Sequence, residues 1–243
     1  MERTKVAHTL QQSLLPPTLA RIPGAQVAVR FHAAGRGVEV GGDFYDAFET
    51  AGGYALVIGD VCGKGPGAAA VTALARYTIR AVAMFESRPD KILTRLNEAL
   101  LRQSESGDFC TALVMHVKPA ASGHILQVAS AGHPLPLLLR PDGSGGEFGR
   151  PGTMLGVIPD ADLPVDEVLL RPGDACIVYT DGLNEAAAPR ILTPENLITL
   201  LRTSAAAGAE AVARRLDVIP TSAGEQMRDD TAIVVFSVDS PGS

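Results

Sequence analysis

The chain has no tryptophan, only three cysteines and five histidines among 243 residues, and 5% aromatic residues. Each shortage excludes something. Cys62, Cys110 and Cys176 are odd in number, far apart and free of any CxxC pattern, so they suit buried thiols better than disulfides or a zinc site. The histidines form no ligand cluster. His8 lies in the opening helical pattern, His32 and His116 alternate with apolar residues in strands, and His124 opens a strand. His133, in SAGHP, stands at a strand end, where it lines a site or shapes a turn. Positive charge is also in deficit: the net charge of −6 argues against a broad nucleic-acid footprint. No apolar run reaches the roughly 18–20 residues of a membrane span. The opening MERTKVAHTLQQSLLPP lacks the apolar stretch of a signal peptide, so a soluble, cytoplasmic protein without membrane contact is expected.

Two catalytic signatures are missing as well. There is no GxSxG and no cysteine beside a basic partner, which leaves no nucleophilic serine or thiol. The loop Gly59-Asp60-Val61-Cys62-Gly63-Lys64-Gly65 imitates a phosphate-binding loop. Its glycine spacing is one residue short, and Gly65 stands where a Ser or Thr would bind magnesium.

What is present is a long series of strands. Apolar runs start at Ala25, Val38 and Tyr54, and return as CTALVMHVKP, HILQVASAG, PLPLLLR, VDEVLL, DACIVYTDG and TAIVVFSV. Helical patterns come in pairs. One starts at Gly67 with Val71, Leu74, Thr78 and Val82 on a face, and the next at Asp90, read as an N-cap. Thr193-Pro194 reads as an N-cap with proline at the first helical position, opening a helix to about Arg202. Another helix covers roughly Ala207–Val218. Regular βαβ alternation is absent, so the order implies sheets packed on each other with helix pairs outside. Pro141–Gly152 reads as a mobile loop. Before all this, Val6, Leu10 and Leu14 recur every four residues until Pro16-Pro17 stops the pattern. So short a helix needs a partner, which is its own domain, a second copy or an upstream domain.

Aspartates sit where strands end: Gly42-Asp43, Gly59-Asp60, Thr180-Asp181 and, just before the last strand, Asp229-Asp230. A single such aspartate makes an ordinary turn. Four at the tips of neighbouring core strands would repel one another unless a cation lay among them. Carboxylates without histidine or cysteine suit Mg²⁺ or Mn²⁺, and two such ions clamp a phosphoryl group for in-line attack.

VGGDFYD (40–46), VIGDVCGKGPGAA (57–69), FCTALV (109–114), SAGHPLPLLL (130–139), GTMLGV (152–157), YTDGLNEA (179–186) and RDDTAIVV (228–235) together resemble the serial motifs of the RsbU/SpoIIE branch of PPM (PP2C-like) serine/threonine phosphatases. The resemblance implies an α+β, αββα four-layer sandwich of two packed, mainly antiparallel sheets flanked by helix pairs. It implies a phosphatase domain over 22–239, preceded by a linker or dimerisation helix with its Pro-Pro connector (1–21) and followed by a short tail (240–243). By motif position Asp60 would bridge two Mn²⁺ or Mg²⁺ ions, with the Val61 carbonyl, Asp43, Asp181 and Asp229 completing the catalytic set. Asp46 and Asp230 would support it from outside, and Arg36 is the candidate phosphate contact in place of the arginine that other PP2C enzymes carry. The implied reaction is attack of a metal-bridged hydroxide on phosphoserine or phosphothreonine. The implied substrate is a phosphorylated STAS-domain anti-sigma-factor antagonist, which places the domain in sigma-factor regulation. An upstream sensor or activator would act on the linker and on the switch helices after Asp60, and the chain would form a homodimer. A catalytically silent binding module of the same fold, and a phosphodiesterase or small-molecule phosphatase using the same metals, are the other readings.

Overall fold

In the computed structural model, residues 14–34, 40–103, 108–187, 192–223, 227 and 229–240 are described. Arg36 and most of the first helical pattern lie outside them. Among the described residues, ten strands make two five-stranded sheets. One has the order β1 (Ala25–His32), β10 (Thr231–Val238), β9 (Ala175–Tyr179), β6 (Leu137–Leu139), β7 (Gly145–Glu147). The other runs β2 (Phe44–Thr50), β3 (Gly53–Val61), β4 (Cys110–Ala120), β5 (Gly123–Ala131), β8 (Val165–Leu170). All neighbouring strands are antiparallel.

Period-2 alternation divides each strand between two cores. Leu56 and Ile58 of β3 face inward with Leu113 and Met115 of β4, meeting Val178, Val234 and Phe236 of the opposite sheet. Val57 and Val61 face outward, beneath α1 (Pro66–Ala83) and α2 (Pro89–Gln103). The outer face of the first sheet is covered by α4 (Pro194–Leu201) and α5 (Gly208–Ala223), packed through Leu197, Leu201, Val212 and Leu216. The result is the expected four-layer αββα sandwich. Each large side chain fully buried in these layers contributes about 1.5–3 kcal/mol.

The structure departs from expectation in places. Of the expected strand run, Val40–Asp43 is not strand, and β2 starts only at Phe44. Pro141–Gly152 is not simply a loop, because Gly145–Glu147 pairs with β6 as β7. The helix α2 starts at Pro89, so Asp90 lies in its first turn instead of capping it. Thr193 does cap α4, its hydroxyl accepting from the Asn196 amide. A short helix, α3 (Gly182–Ala186), follows Asp181 directly, where no helix was expected.

Candidate metal centre

The displaced start of β2 explains how the carboxylates meet. In the antiparallel pair, Phe44 lies opposite Gly59, so Asp43 enters one strand beside the point where Asp60 leaves the other. Across the sandwich, Tyr179 at the end of β9 lies opposite Ile233 of β10, which brings Asp181 and Asp229-Asp230 to the same edge. Two hairpin-like pairs, one from each sheet, therefore deliver Asp43, Asp60, Asp181, Asp229 and Asp230 to one cleft.

Residues between the sheets fasten it. The Thr180 hydroxyl donates to Asp43 Oδ2 at 2.6 Å and accepts from the Ala232 amide at 2.9 Å, joining the two sheets through one side chain. Asp230 accepts from the Ala34 amide at 2.7 Å. Asp229 accepts from the Asp230 amide at 3.0 Å and pairs with Lys64 Nζ at 2.9 Å. Gly42 has no room for a side chain: a Cβ there would stand 2.1 Å from the Val61 carbonyl oxygen and 2.7 Å from Asp60 Oδ1. Gly65, at φ 90°, turns the chain from this loop into α1, and its amide donates to the Val40 carbonyl at 2.7 Å.

The electrostatics are those of a site short of positive charge. Burial, then the charge of Asp60, pushes Asp43 well above the usual carboxylate range. Burial followed by Asp181 and Asp229 pushes Asp60 up to about 7, although it shares a hydrogen bond with Asp43. Asp181 and Asp230 are raised as well, burial leading in both. Carboxylates that resist ionisation when alone are suited to an incoming cation. The donors are all oxygens, and the glycine-lined gap keeps the Val61 carbonyl within reach of Asp60, so the residues fit Mg²⁺ or Mn²⁺. Among the described residues, no three Asp, Glu, His or Cys side chains already close on a single point. They line the cleft as separate donors.

Asp46 is elsewhere. It faces α1, where Arg76 Nε and Arg80 Nε reach its Oδ2 at 2.9 and 2.6 Å. Asp230, in contrast, is in the cleft with the other four. The sequence reading missed Thr180, Lys64, Arg76 and Arg80. Thr180 had a usable signal, since a hydroxyl between an apolar strand and its terminal aspartate is placed to bond across the sandwich. His133 is fully buried with its pKa pushed down to about 3 by that burial, and its Nδ1 meets the Thr111 hydroxyl at 2.9 Å. Because Thr111 pairs with Asp60 across the β3–β4 ladder, His133 braces the strand behind the site.

A four-layer sandwich with an acid-lined edge defines the PP2C-type phosphatase domain. The SiaA PP2C domain of Pseudomonas aeruginosa matches it with a TM-score of 0.77 at 25% identity, over 98% of this chain and 96% of that one. The family model for Stage II sporulation protein E (SpoIIE) matches residues 50–239, and the chain belongs to that family. Protein IcfG of Synechocystis sp. is 30% identical over 74% of this chain and 32% of its own length. Phosphoserine phosphatase RsbU of Bacillus subtilis is 23% identical over 82% of this chain and 59% of its own. The chain thus spans less than two thirds of either relative. Two more distant structures share the fold and hold metal. RsbX in complex with magnesium has a TM-score of 0.67 at 17% identity, over 91% of this chain and 99% of that one. The PstP catalytic domain with two manganese ions has 0.62 at 18%, over 88% and 98%. Among the described residues, no helix is long and apolar enough to cross a membrane.

Proposed function

We propose that this chain is a Mn²⁺- or Mg²⁺-dependent protein serine/threonine phosphatase acting on a phosphorylated STAS-domain protein. The observation that carries the reading is the meeting of five aspartates from both sheets at one cleft, with their ionisation opposed by burial and by one another. Asp43, Asp60, Asp181 and Asp229 would hold two cations with the Val61 carbonyl, while Asp230 shapes the floor of the cleft. When bound, the ions would polarise the phosphoester and lower the pKa of the attacking water. The chain's own part is placement. Thr180 fixes one carboxylate oxygen of Asp43, leaving the other for a cation. Lys64 holds Asp229 at the rim and puts a positive charge where a phosphoryl group would enter. Residues 22–239 form the catalytic unit in this reading. The segment before it serves as linker and dimer contact, through which an upstream sensor or activator would act in the cytoplasm.

Phosphate release from a serine-phosphorylated STAS-domain protein tests the proposal, with Mn²⁺, Mg²⁺ or chelator present and a nucleotide as competing substrate. Metal-dependent release that prefers the phosphoprotein is expected. Preference for the nucleotide would move the assignment to small-molecule phosphoesters, and no release with either would remove it.

A further inference from the structure

Along α1, three polar residues occupy positions four apart, on the face turned toward β2. Thr72, fully buried, donates from its hydroxyl to the Gly42 carbonyl at 3.3 Å. Arg76, 4% exposed, and Arg80, part-exposed, both close on Asp46, which is itself 2% exposed. Arg80 binds it with Nε and Nη2 at 2.6 and 2.9 Å, and the Asp46 carboxylate also accepts from the Ala47 amide at 2.9 Å. Arg76 Nη1 then reaches past β2 to the Leu14 carbonyl at 3.0 Å, at the point where the chain enters the domain.

Adhesion does not require these charges. The same interface already contains Ala68, Val71, Ala75, Ile79 and Ala83, packed on Phe44, Phe48 and Val57. Removing charges from water is costly, and a buried ion pair is often no better for stability than apolar side chains of similar volume. What a buried polar row does supply is register, because sliding the helix by one residue would leave every member unpaired. The register matters at one particular spot. The Gly42 carbonyl that receives Thr72 also receives the Val61 amide, at 3.2 Å, and Gly42 immediately precedes Asp43.

We propose that Thr72, Arg76 and Arg80, anchored on Asp46, are positioning residues that lock α1 to β2 and so hold the Gly42–Asp43 segment in the arrangement that accepts a divalent cation. This rests on the metal-centre reading above. The row does not touch the cation; it acts through Gly42 and Asp43. Its connection to Leu14 means that the segment entering the domain is fastened to the same row.

The test is Mn²⁺ titration calorimetry of the full chain alongside its thermal unfolding. Asp46→Asn and Arg80→Gln are expected to weaken Mn²⁺ binding by roughly 10–100-fold, the range found when groups that orient metal ligands are removed. Thr72→Val keeps the side-chain shape and should weaken it in the same direction, while Arg80→Lys should restore part of the loss. The control is Leu216→Ala, on the buried face of α5 in the opposite layer. At a matched loss of melting temperature it should retain wild-type affinity. Wild-type affinity in folded Arg80→Gln and Thr72→Val would overturn the lock. Equal weakening in Leu216→Ala would also overturn it, reducing the row to general stability. If the wild-type chain itself bound no Mn²⁺, the metal reading would fall and the lock with it. Should Asp46→Asn not fold, Arg80→Gln and Thr72→Val carry the decision alone.

Discussion

The two outer layers of the sandwich are built on different principles. Over the sheet β1-β10-β9-β6-β7, α4 and α5 are seated on an apolar cluster, and the charged contacts of α5 with β1, Arg30–Glu210 and His32–Asp217, are only partly buried. Over the sheet β2-β3-β4-β5-β8, α1 is seated on an apolar cluster interrupted by a buried arginine, a buried aspartate and a buried threonine. An apolar face tolerates small slips and substitutions that conserve volume. A buried polar row does not, since a lost partner leaves a group desolvated and unsatisfied. The layer that must place Asp43 and Asp60 is the layer with the row. The other layer needs only to cover its sheet, although that sheet brings Asp181 and Asp229 to the cleft on its own strand ends.

The largest expected effect lies in the cleft itself. Asp60→Asn should lower phosphate release by about 10²–10³-fold or more, the scale on which a preorganised charge contributes to such chemistry, with the fold intact by circular dichroism. Gly42→Ala comes next: its Cβ would meet the Val61 carbonyl, so both Mn²⁺ affinity and melting temperature should drop together. Leu216→Ala sharpens the contrast from the apolar side. It should cost about 2–5 kcal/mol of stability by denaturant unfolding while the folded fraction binds Mn²⁺ normally. Thr180→Val should cost about 1–3 kcal/mol through the lost bond to buried Asp43 and the unsatisfied Ala232 amide, and it should reduce activity more than its stability loss implies.

The pH dependence of the metal-free chain gives a smaller, signed effect. Asp60 has its pKa raised to about 7 in the folded state, against an ordinary value of 3.8, so the folded state binds more protons than the unfolded one between those limits. Stability of the metal-free protein should therefore fall as pH rises through that window and level off above it. Added Mn²⁺ should raise the melting temperature at pH 8, by selective binding to the folded state. A metal-free melting temperature that rose steadily from pH 5 to pH 8 would contradict the clustering of these carboxylates.

Much of this was legible in the sequence. Strand runs with period-2 alternation, the paired helices and the Thr193-Pro194 start were readable because each depends on neighbours a few residues away. The four aspartates were readable because glycine and carboxylate at the tip of an apolar run conflict with strand propensity. Asp46 faces α1 and not the cleft, and the information for that was in the sequence. It lies three positions after Asp43, an odd offset, and in an extended segment that puts the two on opposite faces. Phe44, Asp46 and Phe48 look out to α1, while Tyr45 and Ala47 look in. The row on α1 was hidden for another reason. Apolar periodicity assigns the buried face to Val71, Leu74, Thr78 and Val82; the observed face keeps Val71 but otherwise turns toward Ala68, Thr72, Ala75, Arg76 and Ile79. Leu74 and Val82 are only partly buried. A pattern that counts arginine as surface cannot find a face that buries one. The convergence of strand ends from two sheets depends on contacts between distant residues, such as Thr180 with Asp43, 137 positions apart, which no local pattern encodes.

Mn²⁺ binding to the full chain, measured by calorimetry for the wild type and for Asp60→Asn, tests the account most directly. Two ions per chain are expected in the wild type and loss of that binding in the variant, with both proteins equally folded. Equal Mn²⁺ binding by the two would show that the glycine-aspartate cleft is not the metal centre.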